Sequence, residues 1–463
     1  MPVRQTSRYI NILFFILVVL IYAVGQFYIG TRLPDDSEFH FDAPADADFL
    51  FYAGILKQLT AGFPPQNPAF GGVVLSQSFI QYYPTAILAQ FIGPYAAMRI
   101  FNFVYLLIFA FLLRRYFSKS WGIGLAVICA GSVWALAINA VGVDLIARGF
   151  NHFPFFILLI IGLFEKKFNY LRWIALFLLG SVHTYMAFLV LLALAVLALM
   201  DKFKKRSVID VIVCACGFIP GALMTASVAT RPFYFPFTNA VNLSLRSVWP
   251  HALAGLAAAY FVRDRRVLVF LFVPLVYGFI FHYNPYFPVF IVNFATGWAF
   301  MFIADKGKIP GIYVALATLL LITGYGFAVV NKYNPNVGDY FPRSDSEYRA
   351  AAQWLEENTP EDAVVMTLIL ADSWRTRLME TRAAYLEVPN MVNHLGINTA
   401  PRIDQIFSYF RNPMRTLVDA DYVVYGPYEQ YYFPGFQISN RPPVYRDSTV
   451  AIWKIKPDIS EKK

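Results

Sequence analysis

Apolar stretches recur through the first 330 of the 463 residues, parted by short polar or basic loops. Tyr9–Thr31 is the first, and Pro94–Leu113 the second. Nine more follow, at Trp121–Asn139, Phe150–Phe164, Leu171–His183, Thr184–Met200, Val208–Val228, Trp249–Val262, Val267–His282, Pro285–Ala304 and Ile309–Val330. Each reads as a membrane-crossing helix, giving about eleven spans. Several fall short of the ~20 residues that normally span a bilayer, which implies tilted neighbours, local thinning or helices that end in a cavity. Phe79–Phe91 is shorter still and is interrupted by Pro84, so it reads as a segment lying in, or dipping into, the outer interface.

Basic residues set the direction of each span. Arg114/Arg115/Lys119, Lys166/Lys167/Arg172, Lys202–Arg206, Arg263/Arg265/Arg266 and Lys306/Lys308 occur at every second loop. With Arg4 and Arg8 they fit one cytoplasmic side and a cytoplasmic N-terminus. This requires two passes within Leu171–Met200, turning at Ser181–Thr184; one helix there would send the later clusters outside. An odd number of spans then leaves the C-terminal part outside the cell membrane. The formal charge of +9 is absorbed by these loops and does not point to nucleic acid. Three cysteines, all inside apolar stretches, support neither a disulfide framework nor a zinc site.

Composition changes at Asn331. Asn334–Arg343 reads as a linker, Ser346–Asn358 as a helix closed by Thr359-Pro360, and Ala363–Leu370 and Ala420–Tyr425 as strands. Arg402–Phe410 is amphipathic, and Pro443–Arg446 with Thr449–Ile455 forms a hairpin around Asp447-Ser448. The expected organisation is a transmembrane domain over 1–330, with an acidic first outer loop at 32–84, and a small extracytoplasmic α/β domain over 331–463.

That loop holds Asp35, Asp36, Glu38, Asp42, Asp46 and Asp48. Asp46 fits the N-cap of a helix over Phe49–Leu59, and Asp48 its first turn, where both would satisfy free amides and the helix dipole. Asp48 is also suited to act as a general base at the outer face. Phe49, Phe51 and Tyr52 read as interfacial aromatic anchors. Asp144, Arg148 and His152 share one helical face, either as an interfacial ion pair or as part of an anion site. Arg231, in an aromatic and proline-rich loop, and Arg246, before Trp249-Pro250-His251, are further outer cations or anchors. His183 and His282 read as packing residues, and Asn242-Leu243-Ser244 matches a glycosylation acceptor pattern. No phosphate-binding glycine loop, dinucleotide fingerprint or His-Glu-x-x-His zinc motif occurs.

An aspartate soon after the first helix, then Gly62-Phe63-Pro64-Pro65-Gln66-Asn67-Pro68 and Tyr82-Tyr83-Pro84, resembles the GT-C superfamily of integral membrane glycosyltransferases. The C-terminal segments Tyr348–Leu355, Asn358-Thr359-Pro360, Asp421–Val424 and Val444-Tyr445 are similar to the outer domains of that group. The resemblance implies inverting transfer of a sugar from a polyprenyl-phosphate donor to a glycan, lipid or protein acceptor. It assigns Asp48, with Asp46 beside it, to catalysis. Arg148, Arg231, Arg246, Asp144, His152, Tyr82 and Tyr83 would line the donor and its phosphate. The Trp-Trp-Asp signature of oligosaccharyltransferases is absent, which argues against transfer to asparagine and leaves a divalent metal open. A polytopic transporter or lipid flippase, and a non-catalytic scaffold of the same fold, are the competing readings. A transporter favours related halves and charged or broken helices at the midplane.

Overall fold

The computed structural model describes residues 3–24, 47–75, 79–130, 141–228, 251–281, 286–306, 313–320, 345–368, 378–386, 392, 397–438 and 441–456. Helices dominate. The N-terminal helix α1 (Val3–Ala23) is followed by α2 (Ala47–Ala61), a 3-10 turn at Ile80–Tyr82 and α3 (Tyr83–Ile92). Pro84 falls in the first turn of α3, where its missing N–H costs nothing. The proline therefore opens a helix rather than interrupting one. Then come α4 (Pro94–Tyr116), α5 (Trp121–Ala130), α6 (Val141–Phe164), α7 (Asn169–Val182), α8 (Thr184–Met200) and α9 (Lys205–Val228). The bundle continues through α10 (His251–Val262), α11 (Arg265–Phe281), α12 (Tyr286–Lys306) and α13 (313–320).

Among the described residues, three helices are long and apolar enough to cross a membrane: Pro94–Tyr116, Lys205–Leu223 and Pro288–Lys306. Shorter apolar helices lie at Arg8–Ala23, Gly149–Phe164, Asn169–Val182, Thr184–Met200 and His251–Val262. Large apolar side chains such as Leu13, Phe111 and Leu223 face outward, as lipid-facing positions do.

Helix α7 runs parallel to α9: Arg172 meets Asp210 near the start of both, and Gly180 meets Gly217 and Gly221 further along. Helix α8 runs the other way, with Thr184 beside Gly221, Phe188 beside Phe218, and Asp201 accepting a hydrogen bond from Ser207 at 2.8 Å. The chain therefore reverses between α7 and α8 at His183, whose extended backbone (φ −155°, ψ 93°) breaks the helix. The chain thus forms two antiparallel helices within Leu171–Met200, turning within Ser181–Thr184.

The basic clusters gather at one end of the bundle. Arg115 pairs with Glu165 (3.0 Å) next to Lys166, and Asn11 accepts from Gly122 N and donates to Lys119 O (2.8 and 2.7 Å). Ser120 donates to Asp305 (2.7 Å), beside Lys306, and Arg265 pairs with Asp201. Helices α7 and α9 cross so tightly at Gly180 and Gly217 that a Cβ at either position would overlap the facing backbone. Gly217 and Gly221 form a small-xxx-small pair of the kind that lets membrane helices touch backbone to backbone.

The C-terminal part is a five-stranded sheet flanked by helices. Its order is β2-β1-β3-β5-β4, with β1 (Val364–Met366) parallel to β2 (Ala383–Ala384) and β3 (Tyr422–Tyr425). β5 (Ala451–Lys454) is antiparallel to β3 and to β4 (Tyr445–Arg446). Alternation divides the faces. Val365, Val424 and Ile452 bury against Tyr348, Ala351, Ala352 and Leu355 of α14 (Asp345–Asn358). Val423, Ala451 and Trp453 pack towards Ile406, Tyr409 and Phe410 of the next long helix, α16 (Ala400–Arg411). The short α15 (Leu378–Thr381) lies between β1 and β2. Burial of side chains of this size contributes about 1.5–3 kcal/mol each. The hairpin expected around Asp447 is present, with the carboxylate accepting from Thr449 N and Val450 N at 2.6 and 2.7 Å. Burial pushes the Glu429 carboxyl up, while Tyr348 Oη, Gly426 N and Leu368 N all donate to it.

The α7–α9 crossing makes Gly217→Val destabilising by about 1–3 kcal/mol through overpacking. It will show as a lower thermal midpoint of the detergent-purified protein. Gly62→Ala, whose added Cβ would meet nothing within 4 Å, will leave the midpoint unchanged.

Candidate functional site

At the end of the bundle away from the basic clusters, three pieces of chain meet on one amide. Asn151 of α6 accepts a hydrogen bond from Tyr82 Oη at 2.7 Å and from Gln81 Nε2 at 3.2 Å. Its own Nδ2 donates to Tyr52 Oη of α2 at 3.0 Å. Rings close round the node: Phe150 lies 5.2 Å from Tyr52, 6.0 Å from Tyr82 and 6.2 Å from Phe49, centroid to centroid. The α2 turn that carries Asp48 is thereby packed on the α6 turn that follows Arg148.

Helix α4 supplies a third wall. Tyr95, Arg99 and Asn102 share a face at i, i+4, i+7 spacing. Tyr95 stacks on Phe49 (6.4 Å), and Asn102 Oδ1 accepts from Phe150 N at 2.5 Å. Arg99 lies between them and is 1% exposed. A guanidinium buried in a membrane bundle is expensive, which makes Arg99 a candidate for the site. Phe49, Phe51 and Tyr52 are core residues in this arrangement and not the lipid-facing anchors their composition suggests, because α3, α6 and Leu378–Thr381 cover α2.

The C-terminal sheet closes the same region. Residues 65–75 fold back on themselves, with Asn67 N on Val73 O (2.7 Å) and Leu75 N on Pro65 O (2.9 Å). The loop then pairs with the sheet edge: Gly71 N donates to Ala384 O (2.6 Å), and Ala384 N to Pro68 O (2.7 Å). Arg402 is stacked between Phe70 (3.7 Å) and Tyr385 (4.4 Å) and donates to Gly71 O (2.9 Å). Burial pulls its guanidinium below the usual arginine range. Lys57 of α2 reaches Glu356 of α14 at 2.7 Å.

The sequence matches no known family profile and no curated protein. Its fold does have counterparts. ArnT from Cupriavidus metallidurans, solved bound to undecaprenyl phosphate, superposes with a TM-score of 0.52 at 12% identity, over 95% of this chain and 97% of that one. The Archaeoglobus fulgidus oligosaccharyltransferase, in complex with Zn and sulfate, superposes at 0.53 and 13% identity, over 90% of this chain and 69% of that one. The chain has the GT-C fold. At these identities the likeness carries the architecture, so each site residue has to be judged on its own surroundings.

Of the residues singled out for a GT-C site, Tyr82 is in the node. Tyr83 is half-buried and faces Phe79 (6.2 Å), outside the hydrogen-bonded cluster. His152 is buried on another side of α6, against Phe290 (4.6 Å) and His183 (6.1 Å), so it joins the packing where α7 and α8 reverse. For Asp48, Asp144 and Arg148 only the helical backbone is described. Asp46, Arg231, Arg246, His282 and Asn242-Leu243-Ser244 lie outside the described residues, as do Asp35, Asp36, Glu38, Asp42 and the Asn334–Arg343 linker. Among the described residues no three His, Cys, Asp or Glu side chains gather to hold a metal ion.

Arg99, Asn102, Gln81 and Asn151 were not picked out from the sequence. The available signal was the polar face Tyr95/Arg99/Asn102 inside an otherwise apolar helix.

Replacing Asn151 by Leu removes its three bonds, to Tyr82 Oη, Gln81 Nε2 and Tyr52 Oη, at about 1 kcal/mol or more each. Tyr82→Phe removes the bond from Tyr82 Oη to Asn151, worth about 1 kcal/mol. Thermal melts of the two variants will show a large drop for Asn151→Leu and a small one for Tyr82→Phe.

Proposed function

We propose that this chain is a membrane glycosyltransferase that moves a sugar from a polyprenyl-phosphate donor to an acceptor hydroxyl. The observation that carries the reading is the GT-C fold with the Asp48 turn of α2 set against α6 and a buried arginine, Arg99, on the adjoining face of α4. ArnT, which shares the fold, was solved with undecaprenyl phosphate, a ligand of the class proposed here.

In this reading Asp48 accepts the proton of the acceptor hydroxyl. The acceptor oxygen forms the new bond to the anomeric carbon, and the bond from that carbon to the phosphate oxygen breaks. The polyprenyl phosphate leaves with the electron pair and is held by arginines. Arg99 and Arg148 are the nearest by position, and Arg231 and Arg246, which fall between α9 and α10 in the sequence, complete the proposed set. A helix turns 100° per residue, so Asp144 falls on the Asn151 line of α6 and Arg148 between Asn151 and His152. Tyr82 shapes the wall, and Asp46 is proposed as the N-cap beside Asp48.

The basic end would face the cytoplasm, with the N-terminus inside. The eleven helices at the expected positions would be the spans of a cell-membrane protein, and residues 331–463 an outer domain over the site. The sugar is left open, as is the choice among glycan, lipid and protein acceptors.

The test uses purified full-length protein with radiolabelled polyprenyl-phosphate sugars and follows release of free polyprenyl phosphate. Asp48→Asn should cut release by about 10²–10⁴-fold, the usual worth of a general base, without moving the thermal midpoint. Full activity in that variant, or no consumption of any donor by the wild type, would sink the assignment.

A further inference from the structure

The C-terminal sheet meets the bundle through one of its ends. Gly71 of the first loop lies against Val364 at the start of β1 and donates to Ala384 O in β2. Lys57 of α2 pairs with Glu356 near the end of α14, a few residues before β1. Asp421, just ahead of β3, is tied to Val364 by two hydrogen bonds of 2.8 Å, from its own N–H and to its carboxylate. The starts of the parallel strands therefore face the bundle and, beside it, the bilayer that the bundle crosses.

The loop that leads from α16 into β3 hangs from this end. Four residues reach at most about 14 Å, so Leu417 stays close to the Asp421–Val364–Gly71 contact. Leu417 is 92% exposed, the most exposed large apolar side chain among the described residues, and Met414 is 66% exposed. This is not slack in the chain. Asn412 N donates to Ser408 O (2.9 Å) and Arg415 N to Asn412 O (3.2 Å), while Lys456 braces Asp419 (2.8 Å) and Asp421 (3.1 Å). Val418 packs on the core and Ala420 is fully buried, so the inward positions are taken and Leu417 is held out.

Single exposed apolar residues are ordinary on a protein surface. Two aliphatic side chains on one braced loop, at the end of the sheet nearest the bilayer, are not. Arg411 and Arg415 flank Met414, both are exposed, and neither forms an ion pair among the described residues. A second copy docking through the same patch would set four arginines against one another. A lipid surface instead offers hydrocarbon to the two apolar tips and phosphates to the guanidiniums.

We propose that residues 411–418 anchor the C-terminal sheet to the adjacent leaflet. Met414 and Leu417 enter the upper acyl region, and Arg411 and Arg415 lie at the phosphates. With Gly71 and Lys57 on the bundle, this gives the sheet a further support and fixes its height and tilt over α2.

The test places a thiol-linked fluorophore on Asn412→Cys in the full chain. The background is Cys216→Ala, because Cys129 and Cys214 are buried and only Cys216 is exposed. In nanodiscs, a lipid carrying a nitroxide high on its acyl chain should quench this label about twofold or more over the same label on Ser448→Cys. Ser448 lies in the β4–β5 turn, which the pairing of Ala451 with Tyr425 puts at the far end of the sheet. Met414→Gln/Leu417→Gln alters exposed side chains only, so it should keep the thermal midpoint in detergent and lose most of the extra quenching. Arg411→Gln/Arg415→Gln should lose part of it. Equal quenching at the two labels, or an unchanged signal in either double variant, would overturn the proposal. A label at 412 that is shielded from water but not quenched by lipid, in discs whose mass shows two chains, would overturn it in favour of a second copy. No sugar donor is present, so every outcome is independent of glycosyl transfer.

Discussion

The Asn151 amide is the constraint on which the rest of this architecture turns. Inside a membrane bundle a polar side chain has no water to fall back on, so it must find partners from other elements. Asn151 finds them in α2 and in the Gln81-Tyr82 turn, two pieces separated from it by about seventy to a hundred residues of sequence. Because α2 is held there, Phe49 meets Tyr95 and Phe150, and the buried Arg99 face of α4 is brought to the start of α2. Lose the amide and the first loop loses its register against the bundle.

A second consequence concerns the C-terminal sheet. Its edge strand β2 is only two residues long, and an exposed edge is normally a liability. Here the loop of residues 65–75 covers it through Pro68 and Gly71, and Arg402 clamps the loop between two rings. A Cβ at Gly71 would press on Val364 and on Ala384 O, so only glycine lets the loop lie this close to the sheet. The loop beginning at Gly62 thus seats the sheet over the site end. That role accounts for its prolines and glycine without requiring that it touch a substrate.

Much of this was legible in the sequence, for physical reasons that can be named. Spacing of basic clusters required a reversal within Leu171–Met200, and the paired contacts of α7 and α8 along α9 supply it. Strands at Val364–Met366 and Tyr422–Tyr425 and the Asp447 hairpin followed from alternation and turn chemistry. The parts that were not legible depend on side-chain direction. Phe49 and Tyr52 look the same in sequence whether they face lipid or core, and only the cover from α3, α6 and Leu378–Thr381 decides it. Arg99 was hidden by the apolar average of the helix around it, and Gly217-x-x-x-Gly221 by a composition that reads simply as another span. His152 shared a helical face with Arg148, but one face of a helix in a bundle is divided among several neighbours.

The two ends of the bundle treat charge in opposite ways, and this bears on what each can do. At the basic end, arginines and aspartates pair across helix termini, and the surplus cations are exposed. Such an arrangement fixes orientation and can meet an anionic surface, but its paired groups have little freedom to move protons. At the other end the described polar groups are neutral amides and hydroxyls, joined by a single buried arginine. The burial of that guanidinium and the Asn151 bonds belong together, because both need the α2, α4 and α6 walls to close on one another before either polar group can leave water.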